Sequence, residues 1–237
     1  MPASPIDLVM VPGLLCTADL FAVQARGLAD VARVTVGRHT EHATVAAIAA
    51  EILAAAPPRF ALAGLSMGGY VAFEIQRQAP DRVTRLALLD TSARPDAPER
   101  AAARRQLIEL GRQQGMASVQ RSLLPNLIHP QRITDTPLVE RVVQMAEDIG
   151  FDAFVRQQEA LIARPDSRPG LSAIGCPTLV LVGAEDALTP PDLAREIHAG
   201  IPASKLVTIP DSGHLSTMER PEAVNRALRA WLSGDGA

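Results

Sequence analysis

Ser66, Asp186 and His214 have the residue types and the chain order for acyl transfer through a serine nucleophile. Ser66 lies in Gly64-Leu65-Ser66-Met67-Gly68-Gly69, between a short apolar run and a helix-like stretch. In a sharp strand-to-helix turn, flanking glycines remove the Cβ atoms that would otherwise collide. The serine hydroxyl is then exposed at the sheet edge, near the positive end of a helix dipole. A serine hydroxyl is a weak nucleophile until a base takes its proton. His214, in Pro210-Asp211-Ser212-Gly213-His214, is the candidate base, and Asp186, in Gly183-Ala184-Glu185-Asp186, is the candidate group that fixes its tautomer. Each has a plainer reading alone: a tight βα turn, a surface-loop histidine, a turn aspartate. Their order along the chain, serine then acid then histidine, is one of the orders in which this constellation occurs.

The developing oxyanion needs N–H donors. The backbone N–H of Met67, next to the nucleophile, is one candidate. The backbone N–H of Leu14, in Val11-Pro12-Gly13-Leu14-Leu15, is the other, with Gly13 allowing close approach. Asp90 is an alternative acid, and Glu185 is expected to face away from the site. Cys16 is read as a buried packing thiol near the pocket. Asp211 and Ser212 are read as shaping the turn that presents His214. His39, His42, His129 and His198 have no paired ligand spacing, so no metal is expected.

Side chains this far apart in sequence need a rigid scaffold. Apolar runs at residues 8–11, 31–36, 60–63, 83–89, 178–182 and 206–209 read as strands. Runs without alternation are those expected beneath helices on both sheet faces. Helical patterns cover residues 20–28, a stretch capped by Thr44 and stopped by Pro57-Pro58, residues 71–78, and residues 221–231. Parallel strands joined by crossover helices place ligands beyond their carboxyl ends, so Gly13, Ser66, Asp90, Asp186 and His214 fall along one rim. Residues 94–168 contain helix-like segments broken at Pro125, Pro130, Pro137 and Pro165. They are expected to form a helical lid, with residues 1–93 and 169–237 as the core. Apolar residues such as Met116, Leu123, Leu127, Met145 and Phe154 would form the lid's underside and favour short or medium aliphatic acyl chains.

With 237 residues, 47% hydrophobic and 21% charged, the chain can bury one substantial core, which excludes a disordered protein. A net charge of −3 provides no footprint for nucleic acid. Cys16 and Cys176 are the only cysteines and belong to no Cys/His cluster, so free thiols are expected. Residues 1–15 lack a basic start, and Asp7 interrupts their apolar stretch, so no signal peptide is expected. No apolar run reaches the roughly 18 residues of a membrane span. The expectation is a cytoplasmic protein acting on a small-molecule ester, and nothing in the sequence specifies an oligomeric state.

These motifs resemble the α/β-hydrolase superfamily, in particular small bacterial serine esterases with a four-helix lid, and the likeness covers essentially the whole chain. It implies a Ser66–Asp186–His214 triad, oxyanion donors at Leu14 and Met67, no cofactor and no metal. Two features depart from the pattern. Pro12-Gly13 stands where His-Gly is frequent, and the first strand corresponds to the third of the usual eight, which implies six parallel strands. Besides ester hydrolysis, the same machinery fits lactone opening, thioester hydrolysis or C–C cleavage, and the fold also fits a receptor without turnover. A histidine base implies a pH–rate limb near the ordinary histidine value of roughly 6.5.

Overall fold

The computed structural model describes residues 5–234. The expected core extends to residues 1–4 and 235–237, which lie outside the described residues. The chain runs β1 (Ile6–Val11), α1 (Ala22–Gly27), β2 (Ala32–Val36), α2 (Val45–Ala55), β3 (Phe60–Leu65), α3 (Met67–Gln78) and β4 (Val83–Leu89). Three helices follow, α4 (Pro98–Leu127), α5 (Thr136–Ile149) and α6 (Phe151–Ile162). The remainder is β5 (Thr178–Gly183), α7 (Pro191–Gly200), β6 (Ser204–Ile209), the short α8 (Ser216–Glu219) and α9 (Pro221–Ser233).

The six strands pair in the order β2-β1-β3-β4-β5-β6, all parallel, as expected. Every residue of β3 and β5 is buried, which explains why these runs show no polar alternation. Successive side chains pack into two layers. Leu8, Met10, Ala63 and Leu181 join the layer that includes Leu228 and Trp231 of α9. Val9, Val11, Leu62 and Val180 join Ile48 of α2, Val71 of α3 and Ile197 of α7. β1 lies between β2 and β3, so the chain order reverses at β1 and the crevice opens at the carboxyl ends of β1 and β3. Thr44 caps α2 by accepting the Ala47 N–H at 3.2 Å, as anticipated.

Two local expectations need correction. β3 continues through Gly64 and Leu65, and α3 starts at Met67, so Ser66 alone forms the turn. Pro125 does not break a helix; it lies within the last turn of α4, on its exposed side. The break falls at Gly115, whose φ of 79° and ψ of 172° divide α4 into two segments. With α5 and α6, this makes four α-helical segments between β4 and β5. Among the described residues, no helix is long and apolar enough to cross a membrane.

Glycine serves opposite purposes at these two places. A Cβ on Gly68 would sit 1.9 Å from the Val11 carbonyl oxygen, and one on Gly64 would sit 2.2 Å from the Gly68 oxygen. At Gly115 nothing lies within 4 Å, so only the backbone conformation opposes a side chain there. Gly68→Ala is therefore expected to cost more than about 3 kcal/mol or to prevent folding, because backbone cannot move aside as a side chain can. Gly115→Ala should cost about 1–3 kcal/mol, the penalty for holding a residue with a Cβ in a backbone region essentially confined to glycine. Urea denaturation of both variants checks the contrast.

Candidate active site

Ser66 has φ 55° and ψ −114°, a strained combination for a residue with a Cβ. Three contacts hold it there. Its N–H donates to the Leu89 carbonyl at 3.0 Å, Thr91 Oγ1 donates to its carbonyl at 2.8 Å, and Gly69 N–H donates to the same carbonyl at 2.9 Å. Gly69 leaves room for Thr91, which would otherwise lie 2.4 Å from a Cβ.

Asp186 and His214 meet directly, with Nδ1 of the imidazole 2.8 Å from Oδ2 of the carboxylate. Both side chains are almost wholly buried. Burial favours the neutral acid at Asp186, but the His214 charge and hydrogen bond, with the Thr189 N–H and hydroxyl, lower its pKa. At His214, burial favours the neutral ring, yet the Asp186 carboxylate overrides it and raises the pKa above 6.5. Ser66 and His214 face one cavity of about 200 Å³, and among the described residues no hydrogen bond joins hydroxyl to imidazole. Such contacts commonly tighten only around substrate.

The loops carrying the pair are fastened together. Ser212 N–H donates to Glu185 Oε2 at 2.9 Å, and Glu185 N–H to the Ser212 carbonyl at 3.0 Å. Glu185 thus serves the neighbouring loop backbone instead of the imidazole. Asp211 turns the chain at φ 52°. Glu219 receives Gly213 N–H at 2.9 Å and His129 N–H at 2.7 Å, and Leu215 N–H reaches the Leu127 carbonyl at 3.0 Å, tying the end of α4 to the His214 loop.

Asp90, the alternative acid, is fully buried near the pair but does not bond the imidazole. It accepts Gly183 N–H at 2.8 Å and the Ser216 hydroxyl at 2.5 Å. Burial and the Asp186 charge raise its pKa well above the ordinary range, favouring the neutral acid. Two buried carboxyl groups whose environments drive them apart take different roles: Asp186 bears the charge, and Asp90 braces the strands behind it.

The loop after β1 comes close to Ser66, since a Cβ on Gly13 would lie 3.4 Å from Ser66 Cβ. Among the described residues, neither the Leu14 nor the Met67 N–H has a protein acceptor, so both are free for an oxyanion. Sequence reasoning set His39 aside, but it touches this loop. Its Nε2 lies 3.1 Å from the Gly13 carbonyl, and burial pushes its pKa down to about 4, so it donates as a neutral ring. The Gly13 carbonyl and Leu14 N–H belong to one planar peptide and point in opposite directions. Holding the first aims the second. Gln157 of α6 similarly receives Leu15 N–H at 3.2 Å, where Leu15 has φ 58°. No spacing pattern announces His39 or Gln157, because each acts through the backbone of a distant loop.

Cys16 lines the cavity as well as being buried, and burial pushes its thiol up to about 12, so it is no thiolate. Of the expected lid residues, Leu123 and Leu127 reach the cavity, whereas Met116 and Phe154 pack beneath the helices. The cavity wall also includes Arg100, Arg104, Gln120 and Asn126, which the apolar expectation overlooked. Among the described residues, no group of three or more His, Cys, Asp or Glu is arranged to hold a metal ion.

Residues 8–227 match the family model described as "Alpha/beta hydrolase family". The fold superposes on a malate-bound thermophilic esterase of Thermogutta terrifontis with a TM-score of 0.89 and 34% identity, covering 98% of this chain and 91% of that one. A protein of Mycobacterium tuberculosis carrying a non-heme bromoperoxidase name is 32% identical, over 77% of this chain and 71% of its own length. The 3-oxoadipate enol-lactonase 2 of Acinetobacter baylyi is 29% identical, over 74% of this chain and 64% of its own.

The two carboxyl groups make a direct comparison. Asp186→Asn is expected to lower kcat by about 10⁴-fold, because an amide no longer selects the correct imidazole tautomer. Asp90→Asn should lower kcat by much less, since a neutral group already stands there. Steady-state kinetics on one ester checks the order; the reverse order would assign the acid to Asp90.

Proposed function

This chain belongs to the alpha/beta hydrolase family, and we propose that it is a serine hydrolase cleaving small carboxylic esters through an acyl-enzyme on Ser66. The observation that carries the reading is the buried Asp186–His214 pair at 2.8 Å, sharing a cavity with a serine held at φ 55°. In the proposed reaction, Ser66 Oγ attacks the ester carbonyl as His214 Nε2 takes its proton. The Leu14 and Met67 N–H groups receive the oxyanion. Collapse breaks the bond to the alkoxy group, which leaves as the alcohol with the proton from His214. Water then adds to the acyl-enzyme by the same base, and the acid departs with Ser66 regenerated. No step calls for a cofactor or a metal.

Residues 94–168 are read as a lid over a core made of residues 1–93 and 169–237. The hydrogen bond between the end of α4 and the His214 loop supports a lid that contributes to the site's shape. A lactone is a cyclic ester, and its opening would use the same groups in the same order. The relative named as an enol-lactonase keeps that substrate form within this reading.

Ser66→Ala should abolish turnover of a simple aryl ester while circular dichroism stays unchanged, since only an exposed-edge hydroxyl is lost. Ligand binding without turnover in the wild type would instead support a receptor.

The pH profile follows from the sign of the His214 shift. His214 accepts a proton only when neutral, and its pKa is raised above 6.5. The acidic limb of kcat/KM should therefore lie above 6.5, higher than the unperturbed histidine value, with activity falling as pH drops through it. A kcat/KM series from pH 5 to 9 checks this, and a profile flat through neutrality would remove the histidine base.

A further inference from the structure

The roof of the cavity carries more positive charge than its neighbours neutralise. The Asp96 carboxylate, fully buried, meets three arginines: Arg104 at 2.5 Å, Arg164 at 2.7 Å and Arg100 at 3.8 Å. Burial opposes its ionisation, but the Arg104 and Arg164 charges lower its pKa, so one negative charge faces three positive ones. Arg164 is occupied elsewhere, 4.2 Å over the Tyr70 ring and donating to the Arg94 and Leu161 carbonyls. Arg104 is buried and also donates to Gln158 Oε1 at 2.9 Å. Arg100 is the least satisfied. It has the loose Asp96 contact and one hydrogen bond to the Leu188 carbonyl at 3.2 Å, and its side chain is 35% exposed.

Arg100 and Arg104 both line the cavity that holds Ser66 and His214. Arg100 is close enough to His214 for its charge to disfavour the imidazolium. A second observation points to a ligand there. Gln120 lines the same cavity, is 1% exposed, and its Oε1 has no hydrogen-bond partner. Buried polar groups are ordinarily paired, and an unpaired amide oxygen asks for a hydrogen-bond donor, so the Gln120 oxygen implies a polar ligand in the cavity, while the charge of Arg100 sets the sign of the group opposite it. Leucines form much of the remaining wall, including Leu107, Leu123 and Leu188. An aliphatic segment ending in a charge satisfies both parts.

We infer that the cavity takes esters whose acyl chain carries a second, ionised carboxylate, bound by Arg100 with Arg104 beside it. The planar guanidinium fork suits a carboxylate, and a charge-assisted hydrogen bond in a low-dielectric cavity is stronger than a neutral one. This inference rests on Ser66 as the nucleophile only for where the ester end lies; the anion site stands on the arginines.

The experiment compares monomethyl succinate, glutarate and adipate with methyl butyrate, pentanoate and hexanoate, which match them in acyl length. At one of these lengths, wild-type kcat/KM should favour the anionic ester by about tenfold or more, and the preference should fall about ten- to a hundredfold in Arg100→Gln. Thermal melting verifies that the variant is folded, and added salt should weaken the wild-type preference even without it. Calorimetric binding of the corresponding monoamides and neutral amides to Ser66→Ala separates this inference from the hydrolase reading. Tighter binding of the anionic amide, lost in Ser66→Ala/Arg100→Gln, supports the site even if no ester is turned over. Equal or preferential binding of the neutral amide, no binding of either, or a preference unchanged by Arg100→Gln would overturn it.

Discussion

The turn at Ser66 sets the terms for the rest of the molecule. A serine at φ 55° between β3 and α3 is possible only because the backbones of β1, β3 and α3 come within a distance that excludes any Cβ at Gly64 or Gly68. That approach is held from both sides of β3: the Val11 end of β1 presses on Gly68, and β4 receives the Ser66 N–H. The sheet order places this contact where the chain reverses direction across the sheet, and the loop after β1 approaches Ser66 there. Strain of this kind persists only where surrounding structure over-determines it. Here the over-determination consists of backbone contacts and hydrogen bonds from Thr91 and Gly69.

Electrostatics divides the two buried carboxyl groups behind the turn. Asp186 has an imidazole, a hydroxyl and two backbone N–H groups at its oxygens, enough to keep a charge on a buried carboxylate. Asp90 has one N–H and one hydroxyl, and the Asp186 charge nearby makes a second negative charge unfavourable. A single ionised acid beside a single base is the arrangement that the proposed proton transfer from Ser66 requires. Around it, Glu185 and Glu219 bind backbone N–H groups of the His214 loop, so the loop's position does not depend on the imidazole's own hydrogen bond.

What could be read in the sequence was what short-range rules express. Six strands, their parallel order, the turn at Ser66 and the meeting of Asp186 with His214 all follow from apolar runs, glycines and chain order. Proline marks a break only where the chain does not continue helically past it, and Pro125 sits inside the last turn of α4; the first segment ends instead at Gly115, whose φ of 79° and ψ of 172° fit no helix and need glycine. His39 and Gln157 were not visible, since each supports the β1 exit loop through space from another element. Nothing in the sequence singles out Arg100 and Arg104 among the many arginines of residues 94–168; only packing makes them part of the cavity wall, around the Asp96 carboxylate just before α4. Periodicity distinguishes buried from exposed, and it does not distinguish exposed to solvent from exposed to a substrate.

The most direct test of the central assignment is to trap the nucleophile. Treating the protein with an aryl phosphonate ester and mapping the adduct by peptide mass spectrometry should find a single modification on Ser66, released aryl alcohol being equimolar with it. Cys16 also lines the cavity, but burial pushes its thiol up to about 12, so it should remain unmodified. An adduct on Cys16 or on any residue other than Ser66, or loss of activity with no covalent change, would contradict a serine nucleophile at the β3–α3 turn.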